Sequence, residues 1–197
     1  MKKGGWSASQ IQGLRYPLFV KPARSGSSRG TTKVKSFDDL APAIEHGFEF
    51  DTKVMIEEAI VGREIECGVL ESAGSAIASP IGEIKIHGDY EFYDFQAKYL
   101  DGATTVIFPD DLPEGVEAAI QSAAIAAFKS LGCEGLARVD FFYSNAGEII
   151  INELNTMPGF TSTSMFPKLW DRAGVGYPEV ITRLIDAALT RSAHVTR

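Results

Sequence analysis

Apolar residues alternate with polar ones along several stretches of the chain and recur at helical spacing along others. Leu18-Phe19-Val20 reads as a short buried strand and Thr31 to Val34 as a second, with a glycine- and serine-rich loop from Pro22 to Gly30 between them. A short helix is predicted over Ser7 to Gly13, and Ser36 with Asp39 three residues on marks a helix start whose apolar pattern runs to Phe48. Val54 to Ile60 and Glu64 to Leu70 read as strands flanking a Val61-Gly62-Arg63 turn, and Ala78 to Ile86 as another strand. Pro113 to Leu131 is the clearest helix, with Val116, Ile120, Ala123, Ala127, Phe128 and Leu131 on one face. A further helix runs from Pro178 to Leu189. The polar, aromatic stretch from Gly88 to Thr104 fits neither period and reads as a long loop, a feature that is usually functional or disordered. Strands and helices fall in separate groups, which predicts an α+β fold with antiparallel sheets.

The stretch from Gly135 to Gly159 departs from this pattern. Ser144-Asn145-Ala146-Gly147 is a turn signal between two apolar β runs that carry Arg138, Asp140, Glu153 and Asn155. An unpaired buried charge is expensive, so charges inside such runs need an explanation. With a four-residue loop and Tyr143 opposite Glu148, Arg138 faces Glu153, Asp140 faces Ile151 and Leu136 faces Asn155. Opposed residues share a sheet face, so all four polar groups then lie together, with Ala137, Val139, Phe141, Ile150 and Leu154 on the core side. A three-residue loop without a bulge would separate Asp140 from Glu153. Asp, Glu and an Asn carbonyl are hard oxygen donors that suit Mg²⁺ or Mn²⁺ rather than zinc, and the guanidinium suits an anion. An Arg–Glu cross-strand pair with two solvated neighbours is the plainer alternative.

Composition narrows the options. A hydrophobic fraction of 45% with 23% charged residues is that of an ordinary globular chain. A net charge of −7 argues against a nucleic-acid partner. No apolar stretch reaches bilayer-spanning length and MKKGGWS has no apolar signal-peptide core, so neither a membrane partner nor secretion is expected. Cys67 and Cys133 stand alone in apolar contexts and read as free thiols of a reducing, cytoplasmic compartment.

Other segments offer weaker chemistry. In FVKPARSGSSRGTTKV, Lys21, serine hydroxyls and exposed backbone N–H groups would suit a phosphate chain, as a flexible surface loop would equally explain them. No Gly-Lys-Ser/Thr leads into a helix there, so it is not a P-loop. Glu57 and Glu64 suit an amino group or ribose hydroxyls, or are solvated edge carboxylates. Lys98 and Tyr99 lie in an aromatic setting within the long loop. Gly159 and the polar run Thr161 to Ser164 suit an oxyanion site, or a plain strand-to-helix connection.

Taken together and in this order, FVKPARSGSS, EEAIVGREIECGVLE, FYDFQAKYL, GLARVDFF and NELNTMPGFTSTSMFP resemble the D-alanine–D-alanine ligases of the ATP-grasp superfamily, over Tyr16 to Leu189. The resemblance implies two lobes with antiparallel sheets and flanking helices and a nucleotide between them. Residues 1–60 would be part of a central lobe with a lid loop over 22–30, and residues 61–197 the C-terminal lobe with the long loop over 88–104. Lys21 and Lys98 would hold ATP phosphates, with Ser27 and Ser28 closing over them. Glu57 and the backbone of Glu58, Ala59 and Ile60 would meet the adenine, and Glu64 the ribose. Asp140, Glu153 and Asn155 would bind two Mg²⁺ ions. Arg138 and the N–H of Gly159 would stabilise an oxyanion, Ser164 and Met165 would border the second amino acid, and Tyr99 with Ser27 would position substrates.

The implied reaction is ATP-dependent joining of two D-alanines through an acyl phosphate, for peptidoglycan synthesis. The Lys98-Tyr99 pair favours D-alanine over D-lactate as second substrate and leaves D-serine open. The family also has an N-terminal domain, with a glutamate for the first D-alanine, that finds no counterpart here; Lys2 and Lys3 do not match the ATP-contacting lysine that follows it. The chain is therefore expected to bind Mg²⁺–nucleotide but to be impaired alone. Family dimers form through parts that include that domain. The competing readings are a non-catalytic nucleotide-binding module or piece of a split assembly that needs an N-terminal partner, and a two-carboxylate hydrolase using Asp140 and Glu153.

Overall fold

The computed structural model of the chain describes residues 5, 7–86, 104–161 and 163–190. They form two compact units that part between Val61 and Gly62. The first holds the described residues up to Val61 with Ile86, Thr104 and Thr105; the second holds Gly62–Lys85 and those from Val106 onward.

In the first unit a short 3₁₀ turn, Ala8–Ile11, precedes β1 (Leu18–Pro22), β2 (Thr32–Val34), α1 (Leu40–Phe48) and β3 (Val54–Glu58). The three strands form an antiparallel sheet in the order β2-β1-β3. Period-two alternation along β1 buries Leu18 and Val20 and leaves Lys21 on the opposite face. Leu40, Ala43, Ile44 and Phe48, spaced for one helix face, join Leu18, Val20, Val34 and Val54 in the core. The helix starts later than the Ser36–Asp39 signal suggests. The Ser36 hydroxyl donates to Asp39 Oδ2 at 2.7 Å, closing a local turn ahead of Leu40 instead of capping the helix.

The second unit carries β4 (Gly62–Ser72), β5 (Ser75–Ile86) but for its last residue, the end of β6 (Thr104–Ile107), α2 (Val116–Ser130), β7 (Leu136–Ser144), β8 (Ile149–Asn155), α3 (Met165–Arg172) and α4 (Tyr177–Thr190). Its sheet has the order β6-β5-β4-β7-β8. Val61-Gly62-Arg63 is not the turn that its glycine suggests, because β3 pairs with β1 whereas Gly62 and Arg63 already pair with β7. A side chain at Gly62 would collide with the carbonyl of Tyr143, so this glycine serves a close cross-strand approach. The unforeseen turn is at Ala73-Gly74, both with positive φ, which joins β4 to β5 as a two-residue hairpin. The loop expected over residues 88–104 lies outside the described residues except for Thr104, which opens β6.

One face of this sheet presents Ile65, Cys67, Val69, Ala137, Val139 and Phe141 to Ile120, Ala124 and Phe128 of α2. Leu131, expected there too, is 68% exposed because the helix ends at Ser130. Cys67 and Cys133 are free thiols, and burial pushes the Cys67 thiol up to about 12. On the other face Leu70 packs with Phe166, Trp170 and Val180 of α3 and α4. The α3 segment MFPKLWDR is short and contains a proline, which hid it in the sequence; Pro167 is in the first turn, where no N–H is needed. Two glycines let α3 close onto the sheet. A Cβ on Gly82 would lie 2.8 Å from Met165 Sδ, and one on Gly68 3.0 Å from Trp170 Nε1.

Both units carry depressed carboxylates. Hydrogen bonds from Arg24, Arg15 and Arg63 hold Asp51, Glu58 and Asp111 below the ordinary carboxylate range. A lowered folded-state pKa contributes stability above the unfolded value of about 4 and loses it as pH falls through the folded value. The urea midpoint is therefore expected to hold between neutral pH and about pH 5 and to fall below about pH 4. Chemical denaturation followed across that range checks this; a midpoint that rises on acidification contradicts it.

Candidate functional site

In the second unit the β7–β8 hairpin brings the four singled-out polar residues together, by a different register from the simple one. Ser144 and Glu148 close a three-residue loop, with the Ser144 N–H on the Glu148 carbonyl at 2.9 Å and Gly147 at φ 83°. Phe141 then pairs with Ile151 and Tyr143 with Ile149, so Ile149 rather than Ile150 packs on the α2 side. Unbroken, that register would turn Glu153 into the core. A register shift at Asn152 adds one residue to β8, and beyond it Asp140 faces Glu153 and Arg138 faces Asn155. The bulge restores the shared face that the three-residue loop would have split.

On the other side of β7, β4 contributes to the same face. Glu66 lies opposite Asp140, Gly68 opposite Arg138 and Glu64 opposite Phe142. Arg138 donates from Nε to Asp140 Oδ1 at 2.7 Å and from Nη2 to Oδ2 at 2.8 Å, a bidentate fork. Glu66 Oε2 lies 2.9 Å from the same Nε, and its residue is 5% exposed. Asn155 Nδ2 donates to Asp140 Oδ2 at 3.0 Å and to Glu153 Oε1 at 3.4 Å. Burial alone would lower the Arg138 pKa, but the bonds to Asp140 and the charges of Asp140, Glu66 and Glu153 raise it above its ordinary value. Glu66 escaped the sequence reading. Its signal was the Glu64-x-Glu66 alternation, which places both carboxylates on one face once β4 is a strand.

A hard divalent cation fits this donor set. Asp140, Glu153 and Asn155 offer oxygens on adjacent strands, the donor type a hard cation prefers. Four carboxylates, those of Glu64, Glu66, Asp140 and Glu153, against the one guanidinium of Arg138 leave the face negative. Among the described residues no group of three or more His, Cys, Asp or Glu side chains is placed to hold a metal ion, so Asn155 is needed to complete the set.

After β8, the chain turns through Gly159, where a Cβ would lie 2.9 Å from Ser164 Oγ. Ser164 Oγ accepts the Thr161 N–H at 3.1 Å and precedes α3, whose first residue, Met165, is buried. The Met165 side chain is therefore packed away from any ligand.

In the first unit Lys21 Nζ forms an ion pair with Glu57 Oε2 at 2.7 Å. Arg15 occupies the Glu58 carboxylate through Nε at 3.0 Å and Nη2 at 2.9 Å, and the Ala59 N–H donates to the Pro17 carbonyl at 2.9 Å. Ser27 and Ser28 both have φ 54°, inside a turn closed by the Arg29 N–H on the Gly26 carbonyl at 3.2 Å. Left-handed backbone costs a non-glycine residue about 1–2 kcal/mol, and such strain concentrates at ligand-binding loops. Lys98 and Tyr99 lie outside the described residues. No helix of the described residues is long and apolar enough to cross a membrane.

Comparison with known proteins gives this arrangement a context. The family profile described as D-ala D-ala ligase C-terminus matches residues 1–186. A D-alanine--D-alanine ligase of Kineococcus radiotolerans is 51% identical over 189 residues, covering 93% of this chain and 50% of the relative. The solved D-alanine-D-alanine ligase of Coxiella burnetii superposes with a TM-score of 0.81 at 37% identity, covering 96% of this chain and 50% of that one. The Bacillus anthracis ligase complexed with ATP does so with a TM-score of 0.77 at 30% identity, covering 96% of this chain and 58% of that one. The chain thus spans about half the length of the relatives it matches. It has the α+β, ATP-grasp architecture of these ligases, and it belongs to the D-alanine–D-alanine ligase C-terminus family.

Proposed function

We propose that the chain is the ATP- and Mg²⁺-binding catalytic portion of a ligase that joins two D-alanines for peptidoglycan synthesis. The observation that carries this reading is the single sheet face shared by Arg138, Asp140, Glu153 and Asn155, in a chain of this family. Asp140, Glu153 and Asn155 would hold Mg²⁺, or Mn²⁺, in two ions. When bound, the metal neutralises phosphate charge. Lys21 and the Ser27-Ser28 turn hold phosphates, Glu57 with the backbone of Glu58 to Ile60 takes the adenine, and Glu64 takes the ribose. Lys98 and Tyr99 complete the phosphate and substrate contacts, and Ser27 helps to position the substrates.

The first D-alanine carboxylate attacks the γ-phosphoryl group, giving an acyl phosphate and ADP. The deprotonated amine of the second D-alanine then attacks the acyl carbon, and inorganic phosphate leaves as the peptide bond forms. Arg138 and the N–H of Gly159 stabilise the tetrahedral oxyanion between those two events. Ser164 and the backbone of Met165 border the second amino acid. The chemistry is one of positioning and charge neutralisation, which these residue types supply. We place it in the cytoplasm, where ATP is at hand.

A second reading stands alongside the first, a non-catalytic nucleotide-binding module that acts with an N-terminal partner. One experiment separates them. The chain is mixed with ATP, Mg²⁺ and D-alanine, D-serine or D-lactate, alone and with the N-terminal half of the Kineococcus relative. D-alanyl-D-alanine formed by the mixture but scarcely by the chain alone is expected. Nucleotide binding without any product in the mixture favours the module, and neither binding nor product rejects both.

A further inference from the structure

Asp140 has two tasks in the site just described. Both its oxygens accept from Arg138, at 2.7 and 2.8 Å, and the same carboxylate is a candidate metal ligand. A carboxylate drawn toward a cation loosens its hold on a guanidinium, because the two positive charges compete for the same lone pairs. Something else must then keep Arg138 in place. Glu66 is placed for that task. It stands opposite Asp140 across β4 and β7, with Oε2 2.9 Å from Arg138 Nε.

Its surroundings commit it further. Gly82 faces Glu66 from β5 and Gly68 follows two residues on along β4. These are the two positions whose missing side chains let Met165, Leu169, Phe166 and Trp170 of α3 descend onto the sheet. A side chain 7% exposed there is screened from solvent ions, and the Arg138 guanidinium lies within ion-pair distance of it. The guanidinium is held along its Nε and Nη2 edge, and among the described residues no bond to its Nη1 is seen. The free edge is thus the one left for a substrate oxyanion.

We propose that Glu66 is a positioning residue that keeps the Arg138 guanidinium aimed at the reacting oxyanion while Asp140 serves a metal ion. It acts through Arg138 and touches no substrate. The inference rests on the ligase reading and deepens it, adding to the site a residue whose part is electrostatic anchoring.

The test reads Arg138 itself. Hydrogen exchange of its Nε–H is followed by ¹⁵N NMR in the wild-type chain and in Glu66→Gln, with and without saturating Mg²⁺–ATP. In the wild type the proton stays protected in both states. In Glu66→Gln it stays protected without nucleotide, where Asp140 holds it, and exchanges at least about tenfold faster with Mg²⁺–ATP, the factor set by the charged acceptor that Glu66 would supply once Asp140 turns to the metal. Equal rates in the two proteins with Mg²⁺–ATP bound overturn the inference and leave the ligase reading standing. Failure of the wild type to bind Mg²⁺–ATP overturns both. Should Glu66→Gln not fold, Glu66→Asp keeps the charge but withdraws it by one methylene, and the same comparison applies.

Discussion

Replacing Arg138 by methionine is expected to destabilise the chain by about 3–5 kcal/mol. The side chain of Arg138 is 18% exposed, and those of Glu66 and Asp140 against it are 7% and 13% exposed. Removing the guanidinium strands two carboxylates on a largely covered sheet face, and the cost is that of the orphaned charges more than of the lost contact. Urea denaturation should show a midpoint lowered by at least about 1 M. Arg138→Lys should fall between, since an ammonium keeps the charge but not the fork that spans both Asp140 oxygens. Adding Glu66→Gln to Arg138→Met removes one orphaned charge and should recover part of the loss. A midpoint shift of less than about 0.3 M for Arg138→Met would mean that these carboxylates are effectively solvated.

Glu153→Gln should behave in the opposite way. Glu153 is exposed on β8, and the amide of Asn155 at 3.4 Å is its hydrogen-bond donor. Its loss should change stability by no more than about 0.5 kcal/mol, as for an ordinary surface substitution. The same change removes a direct oxygen donor from the proposed metal site. Mutation of residues that merely support metal ligands costs about 10–100-fold, so Mg²⁺–nucleotide affinity is expected to fall at least about 100-fold. Titration of Mg²⁺–ATP into the folded variant measures this directly. Unchanged affinity would remove Glu153 from the site. The contrast between the two variants separates what holds the face together from what the face holds.

Much of this site was legible in the residues, for a physical reason. Charges inside β-rich apolar runs have few explanations, and Arg138, Asp140, Glu153 and Asn155 stood out on those grounds. Their sharing of one face was inferred through a four-residue loop, whereas the chain reaches it through a three-residue loop and a bulge at Asn152. A bulge leaves no signature in period-two alternation, because it is a break in that alternation. Glu66 stayed hidden because its meaning depends on β7 lying beside β4, a pairing between segments far apart in sequence. The Val61-Gly62-Arg63 segment misled because glycine marks turns and close approaches alike, and the carbonyl of Tyr143 that selects the second lies far along the chain. The helix α3 was lost to its length and its proline, and two glycines on the sheet beneath it were the trace of its presence.

The central claim is that the face built from Asp140, Glu153 and Asn155 binds nucleotide together with a divalent cation. Calorimetric titration of ATP into the wild-type chain, with Mg²⁺ and with a chelator, tests it most directly. Saturable heat that requires the cation is the predicted result. The absence of binding at millimolar Mg²⁺–ATP, or binding indifferent to the cation, would contradict the account.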